Sequence, residues 1–345
     1  MRKNIRKSLA AKAAVCLIAA GIISGCSFAE SDSDSIIKAM TENHPEAIVT
    51  VGIWDNGKTE YHVYGENGKI LPTEQHNYAI GSLTKTFAGA YIAKLEHEGK
   101  LIIENRISEL VSAGKTQLDP TLKQLLTHTS GLSDEWERLL EQEPNTALTR
   151  ENILAVLKDK APDSKEEQPY YSNFGSALAA TAAAAVEGKT GKEAISGFIK
   201  NDLRLDDTGF DNIEQLTEFF TWQEQDEMAL SGGLISNAKD MLGYGRLYLG
   251  DELPYLQKAA SPLKNFSDDY DCGYFWLIDD ENDIVWHNGE LCFEDENGEN
   301  IGHQSFIGFS KSRNKVIVVL SNVIAYDSEE TALSDLLGYS LMLGE

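Results

Sequence analysis

The order of apolar runs along the chain predicts a β-sheet built from its two ends. Near the beginning, two β-rich runs, Ala47–Trp54 and Thr59–Gly65, are separated by Asp-Asn-Gly at residues 55–57, which is a strong hairpin signal. Near the end, four further β-rich runs have the spacing of an antiparallel meander: Tyr274–Ile278, Ile284–His287, Ser305–Phe309 and Lys315–Leu320. Glu329–Leu343 is then predicted to form a closing helix.

Between these two groups of strands the apolar spacing is helical. After Tyr78–Gly81, apolar residues recur three and four positions apart as far as Leu95, and Gly99 is placed to end that helix. Residues 105–225 are predicted to be mainly helical. The strongest helical segments in that stretch are Leu122–Leu126, Ile153–Lys158 and the alanine-rich Ser176–Val186.

This element order predicts an α/β (α+β) fold, with an antiparallel sheet flanked by helices on both faces and an all-helical lobe to one side. The folded domain is placed at residues 45–345. Its sheet lobe comprises residues 45–104 and 229–345, and its helical lobe comprises residues 105–228.

Charge excludes one class of partner. The 345 residues include 30 basic and 55 acidic side chains, which gives a formal net charge of −25. Five of the basic residues and none of the acidic ones lie in the first 25 positions, so the chain from residue 26 onward carries 25 basic against 55 acidic residues, or −30. A body this acidic is repelled by phosphate backbones, and we expect no nucleic-acid binding.

The basic and apolar residues at the start of the chain have the pattern of an export signal. A basic stretch ends at Lys12, the apolar run Ala13–Ile23 follows, and Ile-Ser-Gly-Cys at residues 23–26 resembles a lipobox. Residues 1–25 are therefore predicted to be a lipoprotein signal peptide, with lipidation at Cys26 and residues 26–44 as an acidic tether on the outer face of the cell membrane. Cleavage after Ala29, which would give a secreted protein, is the alternative.

The first candidate for chemistry is Ser82-Leu83-Thr84-Lys85. One helical turn separates Ser82 from Lys85, so the amine can reach the hydroxyl, and the helix N-terminus offers backbone N–H groups to an oxyanion. The same spacing occurs elsewhere, at Ser35, Ser112, Ser236, Ser261 and Ser312. Only the pair at Ser82 lies at a strand-to-helix turn before a long apolar-periodic helix, although the spacing alone also fits an ordinary polar helix start.

Two further motifs follow in the chain. Tyr171-Ser172-Asn173 comes directly before a predicted helix, and an ammonium such as that of Lys85 would favour the phenolate of Tyr171, which could then act as a base. His287-Asn288-Gly289 ends a predicted strand, where the glycine lets a substrate lie alongside. The next backbone N–H, from Glu290, can point at an oxyanion.

These motifs, in this order, resemble the penicillin-recognising serine hydrolases, in the branch of class C β-lactamases, low-molecular-weight DD-peptidases and related esterases. The resemblance covers about residues 45–325. The segments that carry it are Tyr78–Leu101, Gln124–Leu132, Pro169–Ala179, Ser231–Met241 and Phe306–Asn322.

The resemblance implies a role for each motif residue. It makes Ser82 the nucleophile, Lys85 its proton-transfer partner, Tyr171 the general base, Asn173 a substrate and lysine contact, His287 the third-motif residue, and the backbone N–H groups of Ser82 and Glu290 the oxyanion hole. It implies no cofactor, and no His-x-His or Cys-x-x-Cys cluster suggests a metal site.

Two departures from the family pattern bear on the substrate. Asn288 and Glu290 replace a threonine and a second glycine of the third motif, and that threonine helps to bind a substrate carboxylate. The stretch Leu291–Ile301 is predicted to be a loop with four acidic residues: Glu294, Asp295, Glu296 and Glu299. Beside the site such a loop would favour amine-bearing ligands, although it also fits a solvated surface loop.

The expected function is a surface-anchored serine hydrolase that works through an acyl-enzyme on Ser82. Its expected substrate is a cell-wall peptide or ester, as for a D-amino-acid peptidase or an esterase, and we expect a monomer. A class C-like β-lactamase and a catalytically silent binding or sensor lipoprotein are the alternatives.

The cysteines give one more prediction. With Cys26 lipidated and Cys16 removed, Cys272 and Cys292 are the remaining thiols of an exported chain. They are symmetric about residue 282, inside the turn-like stretch 279–283, so a hairpin centred there would place them opposite each other. We therefore predict a Cys272–Cys292 disulfide, with two buried thiols as the alternative.

Overall fold

The strands of this chain assemble into one large antiparallel sheet and two small ones. A computed structural model describes residues 33–111, 116, 118–132, 149–159, 169–210, 222, 224–294, 300–328 and 331–344. The strands are β1 (Val49–Asp55), β2 (Lys58–Gly65), β3 (Lys69–Leu71), β4 (Asn77–Ala79), β5 (Ile235–Asn237), β6 (Lys264–Asn265), β7 (Asp271–Cys272), β8 (Leu277–Asp279), β9 (Ile284–Glu294), β10 (Asn300–Ser310), β11 (Lys315–Ser321), β12 (Tyr326–Ser328) and β13 (Thr331–Ala332). The large sheet has the order β3-β2-β1-β11-β10-β9-β8-β7-β6, and β4–β5 and β12–β13 form separate pairs.

The helices lie mostly between β4 and β6, with one at each end of the described chain. They are α1 (Ser33–Thr41), α2 (Leu83–His97), α3 (Ile107–Leu110), α4 (Leu122–Leu126), α5 (Arg150–Asp159), α6 (Asn173–Val186), α7 (Gly191–Phe198), α8 (Ala229–Gly232), α9 (Ala238–Leu249), α10 (Pro254–Ala259) and α11 (Leu333–Leu343). As predicted, the first long helix ends before Gly99, which adopts a φ of +69°. The predicted antiparallel sheet with flanking helices is confirmed.

The two ends of the chain pair in the middle of the sheet. Asn56 and Gly57 have φ values of 47° and 95°, which suit a tight hairpin turn with the twist of the flanking strands, and β1 and β2 pair on either side of them. β1 then pairs with β11, with Val51 opposite Val319. The predicted hairpin and the predicted pairing of first and last strands are both confirmed.

Alternation along the central strand divides the interior into two cores. Val316, Val318 and Leu320 of β11 belong to the larger core, together with α2 and the helices between β4 and β6. Ile317 and Val319, on the opposite face, belong to the smaller core with α1 and α11. Since side chains of a strand alternate between faces, one apolar strand supports both layers of helices.

Residues 33–41, assigned from the sequence to the acidic tether, are part of the folded domain. They form α1, whose Ile36, Ile37 and Met40 are buried in the smaller core. These three residues recur at helical spacing, and their burial stabilises the helix against the sheet. The prediction that the domain begins at residue 45 is therefore wrong, and the packed chain includes Ser33 onward.

The predicted Cys272–Cys292 disulfide is wrong. Both cysteines are buried as separate thiols. Cys272 lies on β7, which pairs with Leu277 of β8, whereas Cys292 lies on β9 opposite Gly302 of β10. β8 therefore separates the strands that carry the two cysteines.

The cause is a reversal of the chain at residues 273–276, inside the predicted strand Tyr274–Ile278. Gly273 N–H donates to the carbonyl of Trp276 at 2.9 Å, and Phe275 has a φ of +69°. Tyr274, Phe275 and Trp276 are all buried in the larger core. A strand would send the middle one of three consecutive side chains to the opposite face, so all three can enter one core only if the backbone turns.

Two other predictions concern the ends of the described chain and the acidic loop. Among the described residues no helix is both long enough and apolar enough to span a membrane. The predicted signal peptide, Cys26 and Ala29 lie outside the described residues. The predicted loop Leu291–Ile301 is shorter than expected because β9 continues to Glu294 and β10 begins at Asn300; Asp295, Glu296 and Glu299 lie outside the described residues.

Candidate active site

The turn that leads into α2 presents Ser82 beside β9. Ile80 N–H donates to the carbonyl of Leu234 at 2.9 Å, which fixes the segment before the turn. Gly81 then adopts a φ of +51°, and a Cβ at this position would lie 2.6 Å from the backbone nitrogen of Glu290. Only glycine fits both conditions, and it lets the nucleophile turn lie directly against the third motif.

Lys85 is the centre of a buried hydrogen-bond network. Its Nζ donates to Ser82 Oγ at 2.8 Å, to Asn173 Oδ1 at 2.7 Å and to the carbonyl of Ser231 at 2.8 Å. The side chain is fully buried. Three acceptors match the three N–H bonds of an ammonium, which is how a charged lysine can be held in the interior.

The start of α6 brings the second motif to this network. Ser172 caps the helix by accepting from Gly175 N–H at 2.9 Å, so Asn173 is the first helical residue and faces Lys85. Tyr171 precedes the cap, and Lys85 Nζ lies 4.9 Å from the centre of its ring. The structure therefore places Ser82, Lys85, Tyr171 and Asn173 together.

His287 reaches the same site from β9 and is neutral. The pKa of His287 is lowered to about 3, mainly because the ring is buried and further because the charge of Lys85 is nearby. The hydrogen bond with the Asn288 carbonyl opposes this fall. Its Nδ1 lies 2.5 Å from that carbonyl oxygen. Because a carbonyl only accepts, Nδ1 carries the proton and Nε2 carries the lone pair.

Gly289 allows β9 to lie against the nucleophile turn. A Cβ on Gly289 would lie 2.1 Å from the carbonyl oxygen of Ile80 and 2.9 Å from the backbone nitrogen of Ser82. Ser305 Oγ, on the next strand, donates to the Ile80 carbonyl at 2.8 Å. The backbones of Ser82 and Glu290, predicted to form an oxyanion hole, are thus held side by side.

His128 belongs to the site, although sequence reasoning did not single it out. Its ring stacks on Tyr171 with centroids 4.6 Å apart, and its Nδ1 accepts from Ser172 N–H at 3.1 Å. Burial, followed by the charge of Lys85, holds the pKa of His128 well below its usual range. The one sequence signal for His128 is that it lies inside Gln124–Leu132, a segment that carries the family resemblance. Its contacts with Tyr171 and Ser172 are between residues far apart in the chain, so they leave no local sequence pattern.

A pocket opens next to these residues. It is narrow, partly open to solvent and mostly apolar. Among the described residues its lining consists of His128, Tyr171, Phe266, Phe275, Leu277, His287 and Asn288. No group of three or more His, Cys, Asp or Glu side chains within the described ranges is arranged to hold a metal ion.

Comparison with known families agrees with this geometry. The family model described as Beta-lactamase matches residues 34–336, which include all the residues of the site. The chain belongs to the beta-lactamase family. This confirms the resemblance to penicillin-recognising serine hydrolases.

Individual beta-lactamase-family relatives are distant in sequence. The chain is 26% identical over 239 residues to a protein of Providencia stuartii named Beta-lactamase, which covers 64% of this chain and 60% of that one. It is 26% identical over 184 residues to a Staphylococcus aureus protein named Teichoic acid D-alanine hydrolase, covering 50% of this chain and 43% of that one. The chain thus spans between about two fifths and three fifths of the length of these curated relatives.

The fold has close counterparts among solved structures. A class C beta-lactamase from Rhodobacter sphaeroides superposes with a TM-score of 0.67 at 18% identity, over 86% of this chain and 95% of that one. The beta-lactamase-family fold is therefore kept although few residues are shared.

Behind the third motif, this family member has a buried acid. Asn288 Nδ2 donates to Asp335 Oδ2 on α11, so the amide that replaces the family's threonine is engaged by a carboxyl group. Glu290 accepts hydrogen bonds from Gln304 Nε2 at 2.9 Å and from the hydroxyl of Tyr326. Burial is the main cause that raises the pKa of Asp335 to about 7, with the Glu290 charge adding to it and the Asn288 hydrogen bond opposing it.

The raised pKa of Asp335 predicts a pH-dependent stability. The usual pKa of an unfolded aspartate is near 4. Between about pH 4 and about pH 7 the folded chain therefore holds a proton on Asp335 that the unfolded chain has released. Asp335 favours folding at low pH, and this contribution to the free energy of unfolding is lost as the pH rises. Asp335→Asn is expected to remove this pH-dependent part of the unfolding free energy, which amounts to at most about 4 kcal/mol across that range. Urea unfolding from pH 4 to 8 measures the change, with the exposed Asp268→Asn as the control. Equal pH slopes for wild type and Asp335→Asn would contradict the prediction.

Proposed function

We propose that this beta-lactamase-family chain is a serine hydrolase that forms an acyl-enzyme on Ser82 and acts on a D-amino-acid ester or peptide of the cell wall. The observation that carries the proposal is the hydrogen bond of 2.8 Å from Lys85 Nζ to Ser82 Oγ inside a fully engaged, buried network. The similarity to a teichoic acid D-alanine hydrolase supports the substrate class.

The proposed first step assigns each proton. Lys85 donates all three of its N–H bonds, one of them to Ser82, so the ammonium orients the hydroxyl oxygen and does not take its proton. Tyr171 accepts the proton as Ser82 Oγ attacks the substrate carbonyl, and the ammonium 4.9 Å from the ring centre favours its phenolate form. The backbone N–H groups of Ser82 and Glu290 receive the negative charge that develops on the carbonyl oxygen.

Collapse of the tetrahedral intermediate completes acylation. The bond from the carbonyl carbon to the leaving oxygen or nitrogen breaks, and Tyr171 returns its proton to that atom. Water then attacks the ester of Ser82 by the same sequence, with Tyr171 again as base, and the acid product is released. Each difficult hydrolysis is thereby divided into two easier steps.

Covalent labelling tests the nucleophile. A fluorophosphonate probe is expected to modify the wild-type chain once, on the peptide that contains Ser82, and to leave Ser82→Ala unmodified. Ser236→Ala, which changes a buried serine with the same Ser-x-x-Lys spacing, serves as the control and should still be labelled. Labelling of Ser82→Ala at the wild-type level would refute the assignment.

A β-lactamase is the second candidate, favoured by the similarity to the Providencia stuartii protein. We expect slow turnover instead, because Asn288, which replaces the threonine that helps to hold a substrate carboxylate, donates to Asp335. Turnover of nitrocefin faster than about 10 s⁻¹, a typical value for enzymes, would favour the β-lactamase.

We also propose that the chain is a monomer held on the outer face of the cell membrane through lipid on Cys26. The basic start, the apolar run and the lipobox-like residues 23–26 support the anchor. A Cys26→Ala variant that stays in the membrane fraction would contradict it.

A further inference from the structure

His128 has a buried polar atom whose partner is missing. Its Nε2 is buried and makes no hydrogen bond with any described residue, whereas Nδ1 accepts from Ser172 N–H. A buried nitrogen without a partner costs free energy comparable to a lost hydrogen bond. Because His128 lines the pocket beside Tyr171, a bound ligand can supply the missing partner.

The proton of His128 is fixed by the same contacts. Ser172 N–H can only donate, so Nδ1 must present a lone pair. Burial keeps the ring neutral, and a neutral ring with a lone pair on Nδ1 carries its proton on Nε2. His128 therefore offers the pocket a hydrogen-bond donor and no positive charge.

His287 offers the complementary group. Its Nδ1 carries the proton that faces the Asn288 carbonyl, which leaves Nε2 as an acceptor on a second ring that lines the pocket. One uncharged ligand group can thus accept from His128 and donate to His287. Amides and alcohols have both capabilities, whereas an ester or an ether oxygen only accepts.

The charges around the pocket disfavour an anion. No described residue of the lining is a lysine or an arginine, and both lining histidines are neutral. The nearest ammonium, Lys85, already donates to three acceptors. Asn288 contacts the carboxyl group of Asp335, so a carboxylate in this pocket would lose its water without gaining a cation.

We propose that this pocket binds an uncharged amide or hydroxyl group on the leaving-group side of the substrate, with His128 Nε2–H as donor and His287 Nε2 as acceptor. The leaving-group side follows from the proposed function, on which this inference rests, since Tyr171 both lines the pocket and protonates the leaving atom. The enzyme then prefers esters with polar, uncharged leaving groups to substrates that end in a carboxylate.

Three D-alanyl esters of equal size test the preference: the glycolamide, isobutyl and glycolate esters. They share the acyl group and end in an amide, an apolar branch and a carboxylate. Each kcat/KM is divided by the second-order rate constant for hydrolysis of the same ester by hydroxide without enzyme, which corrects for differences in leaving-group reactivity. We expect the glycolamide ester to exceed each of the other two by about tenfold or more, the size of effect that two neutral hydrogen bonds give.

A His128→Asn variant tests the donor. Asparagine tolerates the φ of +54° found at residue 128, and its carbonyl can accept from Ser172 N–H, but its shorter side chain withdraws the second donor. We expect kcat/KM for the glycolamide ester to fall about tenfold more than that for the isobutyl ester. His303→Asn is the matched control, since His303 is also buried and its Nδ1 accepts from Ala79 N–H at 2.7 Å, but it does not line the pocket; it should change all three esters by the same factor.

The outcomes separate this inference from the proposed function. If Ser82 is labelled but the glycolate ester is the best substrate, or the glycolamide and isobutyl esters react alike, the pocket assignment is wrong and the serine hydrolase stands. If none of the esters reacts and Ser82 is not labelled, the proposed function fails and the inference fails with it. Should His128→Asn not fold, the order of the three esters on the wild-type enzyme still decides.

Discussion

Replacing Ser82 by alanine, or Lys85 by methionine, is expected to lower kcat for ester hydrolysis by at least about 10³-fold, and the double variant is expected to be no slower than the worse single variant. Ser82 supplies the attacking oxygen, and Lys85 orients that oxygen through a bond of 2.8 Å. Residues that act as one unit lose their joint contribution when either is removed, so their effects do not add.

The measurement is kcat and kcat/KM of the two single variants and the double variant with one D-alanyl ester. Met is chosen at residue 85 because it fills similar space without a charge or donors, while Asn173 Oδ1 and the Ser231 carbonyl lose their partner. Near-ultraviolet circular dichroism of each variant checks that the fold is kept. Losses that multiply in the double variant would show that Ser82 and Lys85 act independently, contrary to the proposed mechanism.

How much of this site the sequence could reveal depends on the distance between the interacting residues along the chain. Ser82 and Lys85 are one helical turn apart, so a local pattern suffices to bring them together. The hairpin at residues 55–57 is local as well, because its turn residues alone select its geometry. Both were predicted, and the structure has them where the sequence placed them.

The contacts of His128, Asn288 and Gly289 could not be predicted from local sequence patterns. Tyr171 follows His128 by 43 positions, and Asp335, on α11, follows Asn288 by 47 positions. Such contacts depend on how whole elements pack, which periodicity does not encode. The failed disulfide has the same origin, since core packing of three consecutive aromatic residues turned the chain between β7 and β8.

Gly289→Ala is expected to damage both activity and stability although it adds only one methyl group. The new Cβ would lie 2.1 Å from the Ile80 carbonyl oxygen, 2.6 Å from Ser305 Oγ and 2.9 Å from Ser82 N. Two of these three atoms belong to the backbone of the nucleophile turn, which cannot move aside as a flexible side chain would. β9 and the turn must therefore separate, and the strain costs about 1–3 kcal/mol of unfolding free energy.

The effect on catalysis should exceed the effect on folding, because the separation falls between the two backbone N–H groups proposed to hold the oxyanion, those of Ser82 and Glu290. A displacement of about 1 Å in such a site can cost about 10²-fold in rate, so we expect kcat of Gly289→Ala to fall by that order. Gly209→Ala is the matched control, since a Cβ there meets nothing within 4 Å. Kinetics with a D-alanyl ester and urea unfolding of both variants give the comparison. If Gly289→Ala kept wild-type kcat, the close approach of β9 to the nucleophile turn would not be needed for catalysis, and the oxyanion hole would have to be sought elsewhere.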